Sequence, residues 1–141
     1  MESQPHVLVV DDDLDMLTVA RAALEAAGYR VSVTSSGHEG IELLRHERPD
    51  AILFDFWMPE MRGDEFVAEV WRVCPSPPPL VACSADPDFM DWDARSSGVR
   101  HALSKPFDLA SLVGTVAKAL EGSTAPPPSR PSEPVYAAGK R

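Results

Sequence analysis

The chain is poor in the features that mark secreted, membrane-spanning or nucleic-acid-binding proteins. It has only two cysteines, Cys74 and Cys83, in 141 residues, too few for the disulfide framework of a small secreted fold. Cys83 sits in an apolar, strand-like run and reads as a small buried hydrophobe. No apolar run reaches the ~20 residues that a bilayer-spanning helix needs, and Met1-Glu2-Ser3-Gln4 lacks the basic-then-apolar order of a signal peptide. A cytoplasmic location with no membrane contact is therefore expected. Positive charge is also scarce, with 13 Lys and Arg against 22 Asp and Glu. Gly122 to Arg141 holds three cations and one carboxylate, so the preceding 121 residues carry -11 against -9 for the whole chain. Binding to a phosphate backbone starts from a basic face, so direct contact with nucleic acid is not expected. The four histidines, His6, His38, His46 and His101, share no metal-ligand spacing and are expected at the surface or at strand edges.

What is present is an ordinary globular composition, 44% hydrophobic and 25% charged, in a chain long enough for one domain with a real core. Ala51-Ile52-Leu53-Phe54 is a continuous apolar run that meets a carboxylate, Asp55, and then turns at Pro59. Such a run fits a strand covered on both faces, as in a parallel sheet. His6 to Val10, Arg30 to Thr34, Leu80 to Ser84 and His101 to Ser104 read as four more strands. Between them lie helical patterns. Asp13 is placed to cap a helix whose Leu17, Ala20, Leu24 and Ala27 share a face, and Gly28 stops it. Ser36 is placed to cap a short helix with Ile41 and Leu44, and Pro49 ends that unit. Met58 to Gly63 reads as a loop and Asp64 as the cap of a helix carrying Phe66, Val67 and Val70. A weak helix is expected through about Ser97. Asp108 is placed to cap a last helix with Leu109, Leu112, Val113, Val116 and Leu120 on one face.

Strand and helix alternate five times, which implies a doubly wound α/β domain with a parallel sheet and right-handed crossovers. The domain is expected over residues 5–121. Residues 122–141 contain five prolines among Ser, Ala and Gly and read as an extended, disordered tail.

In a parallel sheet the carboxyl ends of all strands share one edge, where open α/β sheets place their ligands. Asp11, Asp12, Asp55, Ser84 and Lys105 all fall at or just after such ends. Close carboxylates repel one another unless a cation joins them. Oxygen ligands and few carboxylates suit Mg²⁺, and an ammonium beside it would bind what the cation also binds, most simply a phosphoryl group.

At this point the chain resembles the receiver domain of the two-component response regulator family, over residues 5–121. The matching pieces are Val-Val-Asp-Asp-Asp at 9–13, Phe-Asp-Phe-Trp-Met-Pro at 54–59, Cys-Ser-Ala at 83–85 and Ser-Lys-Pro-Phe at 104–107. The resemblance implies a flavodoxin-like five-stranded sheet in the order 2-1-3-4-5. It implies that Asp55 is the phosphoacceptor and takes a phosphoryl group from a phosphohistidine of a sensor histidine kinase or phosphotransfer protein. Asp12 would ligate Mg²⁺ directly and Asp11 partly through water, with Asp55 and the backbone carbonyl of Trp57 completing the protein's share. Lys105 would pair with the phosphoryl oxygens, and Ser84 would move to hydrogen-bond them. The peptide before Pro106 would be cis. The acceptor would lose its phosphate slowly by itself and is not expected to be a turnover enzyme. An effector protein would read the change on the surface of the fourth helix, fifth strand and fifth helix. The chain would be a monomer or a weak phosphorylation-dependent dimer.

Three positions depart from the common pattern. Ala102 stands where the family often has an aromatic that rotates on activation, which puts that readout aside. Trp57, two residues beyond Asp55, is large and is expected to shield the acyl phosphate from water. Asp86, two beyond Ser84, adds a negative charge near the rim and is expected to oppose Trp57. Two other readings stay open on the same residues. A phosphohydrolase of the haloacid dehalogenase type also uses an Asp after an apolar strand with Mg²⁺, but wants a second Asp where Trp57 stands. A pseudo-receiver would use the fold only as an interaction module.

Overall fold

The computed structural model describes residues 4–85 and 99–121. The elements run β1 (His6–Val10), α1 (Leu14–Ala26), β2 (Arg30–Thr34), α2 (Gly37–Leu44), β3 (Ala51–Asp55), β4 (Trp57–Met58), β5 (Met61–Arg62), α3 (Gly63–Val73), β6 (Leu80–Ser84), β7 (Val99–Ser104) and α4 (Leu109–Glu121). The expected weak helix through about Ser97 and the tail after Glu121 lie outside the described residues.

Five strands form one sheet in the order β2-β1-β3-β6-β7, every pair parallel. Because β4 and β5 form a separate two-stranded ribbon, this is the expected order 2-1-3-4-5. The alternation of side chains along each strand splits the core in two. Leu8, Val10, Ile52, Phe54, Leu80 and Ala82 face α2 and α3, where they meet Ile41, Leu44, Phe66, Val67, Val70 and Trp71. Val7, Val9, Leu53, Val81 and Cys83 point the other way, onto Leu17, Ala20 and Leu24 of α1 and Leu112, Val116 and Ala119 of α4. Every residue of β1, β3 and β6 is buried, which is why these strands read as unbroken apolar runs. Full burial of each Leu, Ile or Phe contributes roughly 1.5–3 kcal/mol.

Several local expectations hold. Asp13 caps α1 by accepting from the amides of Asp15 and Met16 at 3.0 and 3.2 Å. Gly28 follows with φ at +102°, a conformation that costs a glycine little. Ser36 caps α2 through the amide of Glu39, and Asp108 caps α4 through the amide of Ser111 at 2.7 Å. Both cysteines are free and buried.

Others are corrected. The stretch Met58 to Gly63 is not an open loop: Trp57 pairs with Arg62 and Met58 with Met61 in an antiparallel hairpin. That hairpin moves the start of α3 forward. The amide of Gly63 bonds the carbonyl of Phe56 at 2.6 Å, so Arg62 is the cap residue. Glu65 reaches back to the Arg62 amide at 2.8 Å. Asp64 is therefore inside the first turn, not the cap. β7 begins two residues earlier than expected. Leu109 opens α4 exposed, and Ala119 takes a place on its buried stripe. His6 is buried at the start of β1, with its Nε2 2.7 Å from Ser32 Oγ, because β2 covers it. Among the described residues, no helix is long and apolar enough to cross a membrane.

Candidate functional site

The parallel order fixes what meets at the carboxyl edge. Asp11 follows the last residue of β1, Asp55 is the last of β3, Ser84 the last of β6, and Lys105 follows β7. The ends of β6 and β7 are stitched together, since the amide of Lys105 donates to the carbonyl of Ser84 at 2.8 Å. The Lys105–Pro106 peptide is cis.

Lys105 Nζ lies 2.9 Å from Asp11 Oδ2 and 3.7 Å from Asp55 Oδ2. Asp11 is 1% exposed and Asp55 7%. The other Asp11 oxygen accepts from the amide of Asp13 at 2.9 Å, so the capping of α1 also orients the site. Asp55 Oδ1 accepts from the amide of Trp57 at 3.3 Å. Asp11, Asp12 and Asp55 each present an oxygen within 4.8 Å of the others, with Asp12 exposed.

Burial, and then the charge of Asp11, push the Asp55 carboxyl up to about 6, against the pull of Lys105. Burial draws Lys105 down, but its hydrogen bond to Asp11 and the charge of Asp55 outweigh this and leave it above its ordinary value. The ammonium is thus charged at neutral pH and does not fully compensate its neighbours. Three carboxylates and one ammonium leave a formal deficit of two positive charges. A set of hard oxygen donors with that deficit fits Mg²⁺ and not a thiolate- or imidazole-seeking metal.

The remaining expected residues are placed as follows. Ser84 is buried at the edge, in register with Ser104 of β7. Ala102 is an exposed residue of β7 paired with Ala82. Asp86 lies outside the described residues. Trp57 is 41% exposed, in edge contact with the Phe56 ring at 4.9 Å and 82°.

Sequence reasoning missed three neighbours of the hairpin. Glu60, at its tip, accepts from the amide of Gly37 at 2.5 Å and from Ser36 Oγ at 3.1 Å. It thereby caps α2 from 23 residues away. Arg62 lies over the Trp57 ring, its Cζ 5.0 Å from the centroid. Asp64 is buried, with Arg62 Nε 3.4 Å away. Reading Pro59-Glu60 as a hairpin turn would have set Trp57 opposite Arg62; nothing in the sequence announces Glu60.

Comparison with known proteins agrees with this geometry. The model of the response regulator receiver domain matches residues 7–117. The transcriptional regulatory protein GlrR of Escherichia coli is 36% identical over 120 residues, which is 84% of this chain and 27% of that protein. The chain thus spans about a quarter of the length of the first curated relatives it matches. A CheY-like receiver domain protein from Methanospirillum hungatei superposes with a TM-score of 0.79 at 22% identity, over 86% of this chain and 98% of that one. The receiver domain of a sensor histidine kinase from Pseudomonas aeruginosa superposes at 0.75 with 25% identity, over 84% and 99% of the two chains, and was solved with magnesium in its active-site cleft. The fold, the edge on which its carboxylates and lysine converge, and these matches place the chain in the family of response regulator receiver domains of two-component systems.

Proposed function

We propose that this receiver is a phosphoryl-accepting switch in which Asp55 is the acceptor. The observation that carries the reading is the convergence of Lys105 on Asp11 and Asp55 at 2.9 and 3.7 Å, at the end of the sheet where three carboxylates cluster. An Asp55 oxygen attacks the phosphorus of a phosphohistidine on a sensor histidine kinase or phosphotransfer protein. The P–N bond breaks and its electron pair stays on the imidazole, whose other ring nitrogen carries a proton at transfer, so the imidazole leaves neutral. Asp11, Asp12, Asp55 and the Trp57 carbonyl would hold Mg²⁺, which when bound neutralises charge on the carboxylates and the phosphoryl oxygens. Lys105 pairs with those oxygens as charge moves onto them, and the Ser84 hydroxyl donates a further hydrogen bond. The work is positioning and charge neutralisation.

Trp57 walls the acyl phosphate against water, so Trp57→Ala shortens its lifetime. Asp86 opposes that effect by its charge. Loss of phosphate is slow and self-contained, and the modification is stoichiometric. An effector protein reads the switch on β7, α4 and the segment before β7; with Ala102 in β7, that readout does not use an aromatic at this position. Acetyl phosphate with Mg²⁺ should add one phosphoryl group, seen by intact mass, and Asp55→Asn should abolish it. A wild-type chain that no histidine kinase and no acetyl phosphate can label would defeat the reading.

A further inference from the structure

Arg62 makes contacts that a helix cap does not require. It faces Trp57 across the hairpin, so the two side chains share one face of the ribbon. Its guanidinium carbon lies 5.0 Å from the centre of the indole and 5.9 Å from the centre of the Phe56 ring. Phe56, itself buried, touches the indole edge-on. The indole is thus bounded by a fixed phenyl ring and by a planar cation. The cation has its own reason to stay, because the carboxylate of Asp64 is 3% exposed and has Arg62 Nε 3.4 Å away. A buried carboxylate does not readily release its cation. The backbone beneath is held separately, by Gly63 on Phe56 and by Glu60 on the start of α2.

We infer that Arg62 is a positioning residue that latches the Trp57 indole in place and so sets the lifetime of the acyl phosphate on Asp55. The inference rests on the reading of Trp57 as a wall. It separates two functions of the hairpin: its backbone presents the Trp57 carbonyl, and the Arg62 stack governs only the indole. Removing the guanidinium therefore loosens the wall without changing the affinity for Mg²⁺.

Arg62→Ala alone would strand Asp64, so the comparison is made in an Asp64→Asn background. There, Arg62→Ala is introduced with Trp57 present and with Trp57→Ala. With Trp57 present the acyl-phosphate half-life should shorten roughly fivefold, which is ~1 kcal/mol at 1.4 kcal/mol per tenfold and typical of a cation–π contact. In the Trp57→Ala chain the same change should have no effect. Mg²⁺ affinity, measured by titration, should stay within about twofold, since a loosened indole is expected to cost the backbone less than ~0.5 kcal/mol. The fluorotryptophan resonance of position 57 should shift and sharpen towards that of a freely rotating ring.

Equal shortening with and without Trp57 would overturn the latch, because Arg62 would then act by another route. An unchanged half-life in a chain where Trp57→Ala does shorten it would also overturn the latch and leave the wall standing. If Trp57→Ala itself leaves the half-life unchanged, the wall fails and the latch fails with it as a control of lifetime.

Discussion

The Asp55 carboxylate should make the metal-free protein less stable than a variant that lacks it. Burial and the neighbouring Asp11 raise Asp55 from an ordinary 3.8 to about 6. In that interval the folded chain holds a proton that the unfolded chain has already lost. The folded state therefore loses stability as pH rises from about 4 to about 6, and the full loss persists above that. A rise of about two in pKa, at 1.36 kcal/mol for each unit, comes to ~3 kcal/mol. Asp55 is 7% exposed, so solvent screening reduces this little. Asn has nearly the same shape and no charge to strand. At pH 7.5 without divalent cations, Asp55→Asn should thus be more stable than wild type by up to ~3 kcal/mol. For a folded unit of this size that is a rise in melting temperature on the order of 10 °C.

Thermal and urea unfolding, each at pH 4 and at pH 7.5 in the presence of chelator, provide the assay. The two chains should be nearly equal at pH 4 and diverge by pH 7. Saturating Mg²⁺ should close most of the gap from the wild-type side. At one hundred times its dissociation constant, a ligand that binds only the folded state adds ~2.7 kcal/mol. Equal stabilities at pH 7.5 in chelator would refute the electrostatic argument, as would a gap that Mg²⁺ leaves untouched.

Lys105→Met should slow labelling by acetyl phosphate by roughly 10²-fold, the usual loss for one preorganised donor to a developing charge, and intact-mass time courses would show it. Gly63→Ala places a methyl group 2.9 Å from the Phe56 Cα and against its ring, so it should cost roughly 1–3 kcal/mol of unfolding free energy or more, measured in urea. Glu60→Ala removes the acceptor for Gly37 and Ser36; unfolding should report a loss of ~1 kcal/mol, as for a helix cap, and titration a weaker affinity for Mg²⁺. Ser84→Ala should still accept phosphate, but the amide shifts that phosphorylation causes beyond Ala85 should shrink in NMR spectra.

The sheet was legible because its strands are buried on both faces. Ala51 to Phe54 and Leu80 to Cys83 have no alternation to misread, and a parallel sheet brings their ends to one edge without further information. The site followed from that topology: Asp11, Asp55 and Lys105 are successively 44 and 50 residues apart along the chain, yet both carboxylates lie within 4 Å of the Lys105 ammonium. The hairpin was not legible. Pro59 argued for a break, and two-residue strands carry no periodicity, so Trp57 and Arg62 could not be paired by pattern. Asp64 has the composition of a cap, but the bond from Gly63 to Phe56 had already started the helix. Glu60 acts across 23 residues on the amide of Gly37, and contacts of that kind leave no local trace. The burial of His6 was hidden for a similar reason: a polar residue opening a strand is ordinarily at an edge, and the groups that meet it, Ser32 on β2 together with Glu47 and Asp50, are distant in sequence.

On the proposed reading, the charge of the pocket explains where the switch must emerge. Before phosphorylation the three carboxylates and Lys105 leave a formal deficit that one divalent cation cancels. The acyl phosphate replaces the single charge of Asp55 with about two, and the excess calls for a further donor. Ser84 is the hydroxyl at the end of β6, and it is buried. Yet β6 is hydrogen-bonded to β3 on one side and β7 on the other, and the Ser84 carbonyl is tied to the amide of Lys105. The strand itself cannot follow the hydroxyl without breaking the sheet. The cheapest response is rotation of the Ser84 side chain at the end of the strand, beside Ala85, the first residue outside the ladder. The phosphoryl charge is therefore converted into movement at one end of one strand, and the rest of the sheet serves as the fixed frame against which a partner detects it.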